Sequence, residues 1–240
     1  MQGKIITFGH RGAAGYEPDN TLLGFTTAVN MGVDGIELDV YRSNDNQFIV
    51  AHSDSIEIGG QFYRFTKLDL VEIKQIRLDK DQTVPTLEEV FTAMEELRGG
   101  ELLYSIDLWD SRDLDAYHAV LEKCGVKERV YTCFESRLFI KKAHRQFPDI
   151  TYVLSTPVEP GGIIQDMDKI DPSIVKAVNV PAIAMRKEFV DELHARGLQS
   201  FVYDVNDEAQ MREIAGWGVD AMYSNYPDKL VSIVSSRVLE

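Results

Sequence analysis

The chain has little cysteine, no long apolar run and no excess of basic charge, and each lack removes a class of protein. Two cysteines, Cys124 and Cys133, are too few for a disulfide framework or a zinc cluster. Both read as buried or half-buried thiols, the usual place for unpaired cysteine. No stretch is apolar enough over enough residues to span a bilayer. The N-terminal run "KIITFG" amounts to one strand, too short for the apolar part of a signal peptide. As given, the chain reads as soluble and cytoplasmic, or as secreted or periplasmic if a signal peptide has been removed. Lys and Arg number 25 against 39 Asp and Glu, a net charge of −14. A surface of that sign disfavours nucleic acid and anionic membranes as partners, and no stable membrane insertion is expected. An anionic substrate would need a local cation or a metal to draw it in. A Gly-rich dinucleotide fingerprint is also missing.

What is present is a regular alternation. Helices end at glycine and short β-branched or aromatic runs follow, as in "NMGVDGIELDV", "KCGVKERVYTC", "ARGLQSFVYDV" and "GWGVDAMYSNY". Parallel strands are expected near 4–9, 35–41, 102–108, 129–134, 151–155, 177–184, 198–204 and 220–224. Helices are expected over 20–31, 86–98, 111–124, 135–147, 186–196 and 207–216. Eight strands with helices between most of them, in 240 residues, indicate a closed (β/α)8 barrel of TIM type. A doubly wound open sheet is the rival. One domain over 1–240 is expected, with 53–83 as a loop-rich insertion holding one short helical piece near 68–77. Between strand 2 and the run 47–52 no helix fits, so a hairpin is expected, turning on Asp45 and Asn46.

In "GIELDV" the strand period of two puts Ile36, Leu38 and Val40 on one face and Glu37 and Asp39 on the other. In a barrel the apolar face meets the helices, so the carboxylates point inward. Paired inward carboxylates need neutralising, which a hard divalent cation does well. The plain alternative is a half-exposed strand with a solvated acidic face. If Asp45 and Asn46 are the whole hairpin loop, Asn44 faces Gln47, Asp39 faces His52 and Glu37 faces Asp54. His10 and Arg11 follow strand 1, at the end where barrels gather functional groups. Asp107 on strand 3 points inward by the same logic as Glu37 and Asp39. His118, His144 and His194 fall on expected helices and read as structural or solvated. The convergence of His10, His52, Arg11, Glu37, Asp39 and Asp107 fits metal-assisted cleavage of a small anionic phosphate ester.

The motifs "HRG", "EPDNTLLGF", "GVDGIELDV" and a following His, then "VPTLEEV", "VYDVND" and "GVDAMYSNYPD", resemble the glycerophosphodiester phosphodiesterases over nearly the full length. The resemblance implies a phospholipase-C-like variant of the barrel. It implies metal-dependent hydrolysis of a glycerophosphodiester to glycerol 3-phosphate and an alcohol, the work of a phosphoric diester hydrolase. On this chain the implied acid–base pair is His10 and His52. The implied ligands of one divalent cation, Mg2+ or Ca2+, are Glu37, Asp39 and Asp107, and Arg11 is the implied phosphate contact.

The chain also departs from that pattern. "PENT" is Pro18-Asp19-Asn20-Thr21, Glu-x-Lys is Asp107-Leu108-Trp109, and Ser53 follows the second histidine where aspartate is usual. Tyr203-Asp204 replaces "WT", and Ser224-Asn225-Tyr226-Pro227 replaces "TDYP". Trp109 and Tyr203 are therefore candidate walls for the substrate, offered to an apolar, sugar or quaternary-amine group; core packing is the alternative. Two other readings stand beside hydrolysis: a lyase that stops at a cyclic phosphate, and a catalytically silent binding module.

Overall fold

The computed structural model describes residues 4–156 and 167–237. In chain order the strands are β1 (Ile6–Gly9), β2 (Gly35–Arg42), β3 (Phe48–Val50), β4 (Ser55–Ile58), β5 (Gln61–Arg64), β6 (Leu103–Leu108), β7 (Val130–Phe134), β8 (Thr151–Ser155), β9 (Val175–Pro181), β10 (Gln199–Tyr203) and β11 (Ala221–Ser224). Hydrogen-bonded neighbours run β1, β11, β10, β9, β8, β7, β6, β2, and β2 pairs back onto β1. That ring is the expected closed eight-stranded parallel barrel. The strands fall where the helix–strand rhythm put them. The largest difference is β9, expected to run to 184, where a turn over 182–184 begins at Pro181 and takes the chain out of the sheet.

The helices are α1 (Leu22–Asn30), α2 (Leu70–Ile73), α3 (Leu87–Arg98), α4 (Leu114–Lys123), α5 (Arg137–Gln146), α6 (Lys187–Ala195), α7 (Glu208–Trp217) and α8 (Pro227–Arg237). Thr86 and Glu89 close the expected capping box at α3, each side chain satisfying the other's backbone N–H. The sequence reading had no α8. Its signal is Pro227, since proline suits the first helical position, where its missing N–H costs nothing.

The alternation in β2 sorts side chains as expected. Ile36, Leu38 and Val40 join the apolar layer between barrel and helices. A separate core fills the barrel: Phe8, Cys133, Val153, Ala177, Phe201 and Tyr223. Phe8 lies flat on Tyr223, with ring centres 4.7 Å apart and planes at 11°. A third small core, with Ile49, Phe65, Ile73 and Val84, holds the insertion against β3. No described helix is long and apolar enough to cross a membrane.

The hairpin after β2 is present, but its register is not the expected one. Val40 pairs with Val50, Tyr41 with Ile49 and Arg42 with Phe48. Ser43 then meets Gln47, so the loop has three residues, Asn44, Asp45 and Asn46. Asn46 sits at φ 65°, the left-handed residue that closes a three-residue loop. The slip sets Asp39 opposite Ala51, whose N–H it accepts at 3.0 Å, and not opposite His52. The expected facing of Glu37 and Asp54 is lost with it.

Gly35 tests the packing inside the barrel. A Cβ there would lie 2.5 Å from Phe8 Cε1 and 2.6 Å from the Leu103 carbonyl oxygen. Gly35→Ala is expected to cost about 1–3 kcal/mol by overpacking, read as a lower urea midpoint with an unchanged m-value. An unaltered midpoint would show that the Phe8 layer is loosely filled.

Candidate active site

Each inward carboxylate is held by a different part of the chain. Glu37 is 4% exposed and accepts the backbone N–H of Arg11 at 2.8 Å on Oε2. Asp39 is 3% exposed and gathers three donors or cations. Asn20 Nδ2 donates to its Oδ2 at 3.0 Å, Trp109 Nε1 donates to its Oδ1 at 2.9 Å, and Arg11 Nε stands 3.4 Å from Oδ2. Asp107, on the neighbouring β6, is in register with Asp39. Glu37, Asp39 and Asp107 each bring one oxygen into a group whose members all lie within 4.8 Å of one another.

Burial and mutual repulsion raise the proton affinity of this group. Glu37 is pushed well above the usual carboxylate range by desolvation, then by the charges of Asp39 and Asp107. Asp107 is pushed up to about 7, first by desolvation and then by Asp39. Asp107 Oδ1 is buried with no hydrogen-bond partner, and so is Asn179 Oδ1 on β9. Unpartnered buried acceptors beside a carboxylate cluster are the complement of a cation.

His10 stands at the end of β1 and is 6% exposed. Its Nδ1 meets two acceptors, Asn225 Oδ1 at 2.8 Å and Asp204 Oδ1 at 3.3 Å. Two acceptors at one nitrogen put the ring proton there, so Nε2 is the lone-pair nitrogen, 3.8 Å from Glu37 Oε2. Burial, then the Arg11 cation, lowers the pKa of His10 and favours the neutral ring.

His52 arrives by a route the sequence did not disclose. The foot of β2 pairs with β1 through Gly35 and Ile36, while its head pairs with β3 through Val40 to Arg42. The antiparallel β3 therefore descends along the same edge of β2 toward the end of β1. Past Val50 the chain leaves the sheet, and His52, exposed, reaches the cleft that His10 also lines. That cleft measures about 190 Å³ and is lined by Arg11, Glu37, Asp39, Asp107, Trp109 and Tyr203 as well as the two histidines. Trp109 is 44% exposed and its ring runs parallel to Tyr41 with centres 6.2 Å apart, so it is not a core residue. Tyr203 is half-buried, its hydroxyl pushed up to about 12, first by desolvation and then by Asp107. The other histidines are elsewhere: His118 pairs with Asp149 and Glu122, His194 pairs with Asp220, and His144 lies on α5. Cys133 is buried and Cys124 half-buried, both free.

Sequence reasoning missed Asn20, Asn179, Asp204 and Asn225. Asn20 carried a signal, since it stands in the quoted "PDNT". It sits at φ 54°, and its Oδ1 accepts the Asp39 backbone N–H at 3.2 Å while its amide holds the Asp39 carboxylate. Asn225 bonds a residue 215 positions away, which no local pattern reveals.

Comparison with known proteins places this geometry among relatives. The glycerophosphodiester phosphodiesterase of Bacillus subtilis is 28% identical over 256 residues, covering 94% of this chain and 85% of that protein. The lysophospholipase D of Mus musculus is 25% identical over 281 residues, covering 95% of this chain and 85% of that one. Among solved structures, the glycerophosphodiester phosphodiesterase of Thermotoga maritima superposes with a TM-score of 0.79 at 22% identity, covering 97% of this chain and all of that chain. A phosphodiesterase of Oleispira antarctica, solved with its product sn-glycerol-3-phosphate, gives 0.81 at 20% identity, with 96% of each chain covered. The family model described as the glycerophosphoryl diester phosphodiesterase family matches residues 10–119 and 163–229, from His10 through the segment that holds Asn225. With most of its length matched, the chain belongs to the glycerophosphoryl diester phosphodiesterase family.

Proposed function

We propose that the chain hydrolyses a glycerophosphodiester to glycerol 3-phosphate and an alcohol, with His10 and His52 as the acid–base pair and Glu37, Asp39 and Asp107 holding a divalent cation, Mg2+ or Ca2+. The observation that carries this reading is the buried carboxylate group beside an imidazole with a fixed ring proton. The donors fit such an ion: all are hard oxygens, and Asp107 Oδ1 has no other partner. The named activity of the Bacillus relative and the product in the Oleispira structure support the substrate class. The catalytic unit is then one domain over 1–240, with the 53–83 insertion as one wall of its mouth.

When bound, the ion supplies charge neutralisation at the phosphate and acidifies the attacking hydroxyl. The residues do the rest. Arg11, held between Asp19 and Asp39 at the cleft, is the phosphate contact in this reading. His10 Nε2 accepts the proton of the attacking water, or of the substrate's own neighbouring hydroxyl, in which case the cyclic phosphate formed as the alcohol leaves is then opened by water to glycerol 3-phosphate. Asn225 and Asp204 hold the ring and stabilise the imidazolium that results. His52, exposed at the cleft, gives a proton to the departing alkoxide as the phosphorus–oxygen bond breaks. Trp109 and Asn20 keep Asp39 from turning away.

General acid–base assistance is worth about 10²–10⁴-fold per group. His10→Ala and His52→Ala are each expected to lose that much kcat for release of glycerol 3-phosphate, with the thermal midpoint kept. Wild-type turnover in either variant removes that histidine from the reaction.

Chelation is expected to abolish turnover, and Mg2+ or Ca2+ to restore it. In the ion-free site Asp107 holds its proton below about pH 7, and burial with the neighbouring carboxylates raises Glu37 as well, so a cation binding there competes with protons. Affinity for the ion, measured by calorimetry, should therefore weaken as pH falls from 8 to 6, by up to about tenfold per pH unit for each proton displaced. Constant affinity across that range would mean that the ion binds other groups.

A further inference from the structure

Helix α5 reads "RLFIKKAHRQ": Arg137, Lys141, Lys142 and Arg145 with no Asp or Glu, in a chain whose net charge is −14. Among the described helices it alone carries basic residues without an acidic one. Ile140 and Ala143 are buried on its inner side. Leu138, Lys141, Lys142 and Arg145 fall at i, i+3, i+4 and i+7, which is one face of the helix, and all four are exposed, Leu138 to 82%. Among the described residues no carboxylate stands at ion-pair distance from Lys141, Lys142 or Arg145. Asp171 feels the charge of Lys141, but its carboxylate takes the N–H and the hydroxyl of Ser173. Lys141 and Arg145 lie one turn apart and repel each other, so the row weakens the helix that bears it.

The row begins at the mouth of the barrel. Helix α5 follows β7, and its first turn, with its N-cap Ser136, helps to line the chamber next to Asp107. Leu138 therefore stands at the rim, with the cations behind it. Ile183, 88% exposed, lies on the turn that leaves β9 at the same end of the barrel. An apolar tip followed by a cationic row is the pairing that holds an element at an anionic lipid surface: the leucine enters the headgroup layer and the long basic side chains stay among the phosphates. The negative net charge does not oppose this contact, because at about 0.1 M salt charges act over only about 10 Å and a bilayer against α5 feels the local row. A ten-residue helix with leucine in its row lacks the extended basic track of a nucleic-acid binder.

We propose that the outer face of α5, Leu138 with Lys141, Lys142 and Arg145, docks the protein peripherally on a bilayer containing anionic phospholipid, which brings the mouth of the barrel to the lipid surface. The expectation drawn from net charge alone, that anionic membranes are disfavoured, is reversed at this face.

Flotation with lipid vesicles tests the proposal without recourse to activity. The wild type should bind vesicles of phosphatidylcholine with one-third phosphatidylglycerol and leave pure phosphatidylcholine in solution, and raised salt should release it. Each Lys or Arg near such a surface is worth about fivefold in affinity, so the triple variant Lys141→Gln, Lys142→Gln, Arg145→Gln should lose about a hundredfold. Glutamine forms helix as well as lysine does, so the thermal midpoint should be kept. Leu138→Ser should weaken binding by about threefold or more through lost apolar burial. Lys123→Gln, Arg196→Gln and Arg212→Gln together remove the same charge from other faces and should leave binding unchanged. No binding to the mixed vesicles, equal binding to both kinds, or equal losses in the two triple variants overturns the proposal. So does tight binding of polyglutamate by a protein that ignores vesicles, which would assign the row to an acidic protein.

Discussion

The mutual repulsion of Glu37, Asp39 and Asp107 is the constraint around which the mouth of the barrel is arranged. Three carboxyl groups with oxygens within 4.8 Å of one another cannot all ionise in a desolvated place without counter-charge. The chain answers with a guanidinium, an indole N–H, an amide side chain and a backbone N–H, each delivered from a different segment. Most of these groups go to Asp39. Glu37 receives only the Arg11 N–H, and Asp107 keeps one oxygen bare, so the shortage of positive charge lies on the side of Glu37 and Asp107. That asymmetry makes the Glu37 and Asp107 side compatible with a divalent cation.

Delivering those donors has a conformational cost, and it is concentrated at the site. Arg11, Asn20 and Asp204 all have φ between 52° and 59°, the left-handed region that residues with a Cβ rarely adopt. Arg11 thereby turns its N–H to Glu37 while its side chain reaches Asp39. Asn20 tolerates the region better than most residues and uses it to grip Asp39 by both backbone and side chain. Asp204 turns back toward His10. The barrel below, with Phe8 stacked on Tyr223 in a tightly filled interior, is the rigid base that makes such strain sustainable.

The parts of this molecule that follow a period were legible in the sequence. Strand β2 alternates apolar and acidic residues, so the direction of Glu37 and Asp39 could be read from six letters, and Asp107 by analogy. The hairpin register could not, because Asn-Asp-Asn accommodates either two or three loop residues and only the backbone of Asn46 decides between them. His52 was placed in the right company by the wrong route: a strand pairing was expected to bring it beside Asp39, whereas it reaches the cleft after β3 has ended. Asn225 and Asp204 lay beyond local reasoning, since barrel closure, not spacing, brings β11 and the end of β10 beside β1. Trp109 shows a further limit: letters alone do not separate a packed indole from one that bonds a carboxylate at an open mouth.

The two imidazoles belong to mechanically different bodies. His10 is anchored to the barrel wall, its backbone N–H bonded to Ser224 and its ring to Asn225, both at the end of β11. His52 is the first turn of a polypeptide excursion with its own small core, joined to the wall through the short β3. The gap between the two proposed proton-transfer groups is thus governed by how stiffly that excursion is sprung against the wall. If the two imidazoles act as proposed, natural variation in its length or packing would retune the enzyme's tempo while the barrel-wall residues stayed the same.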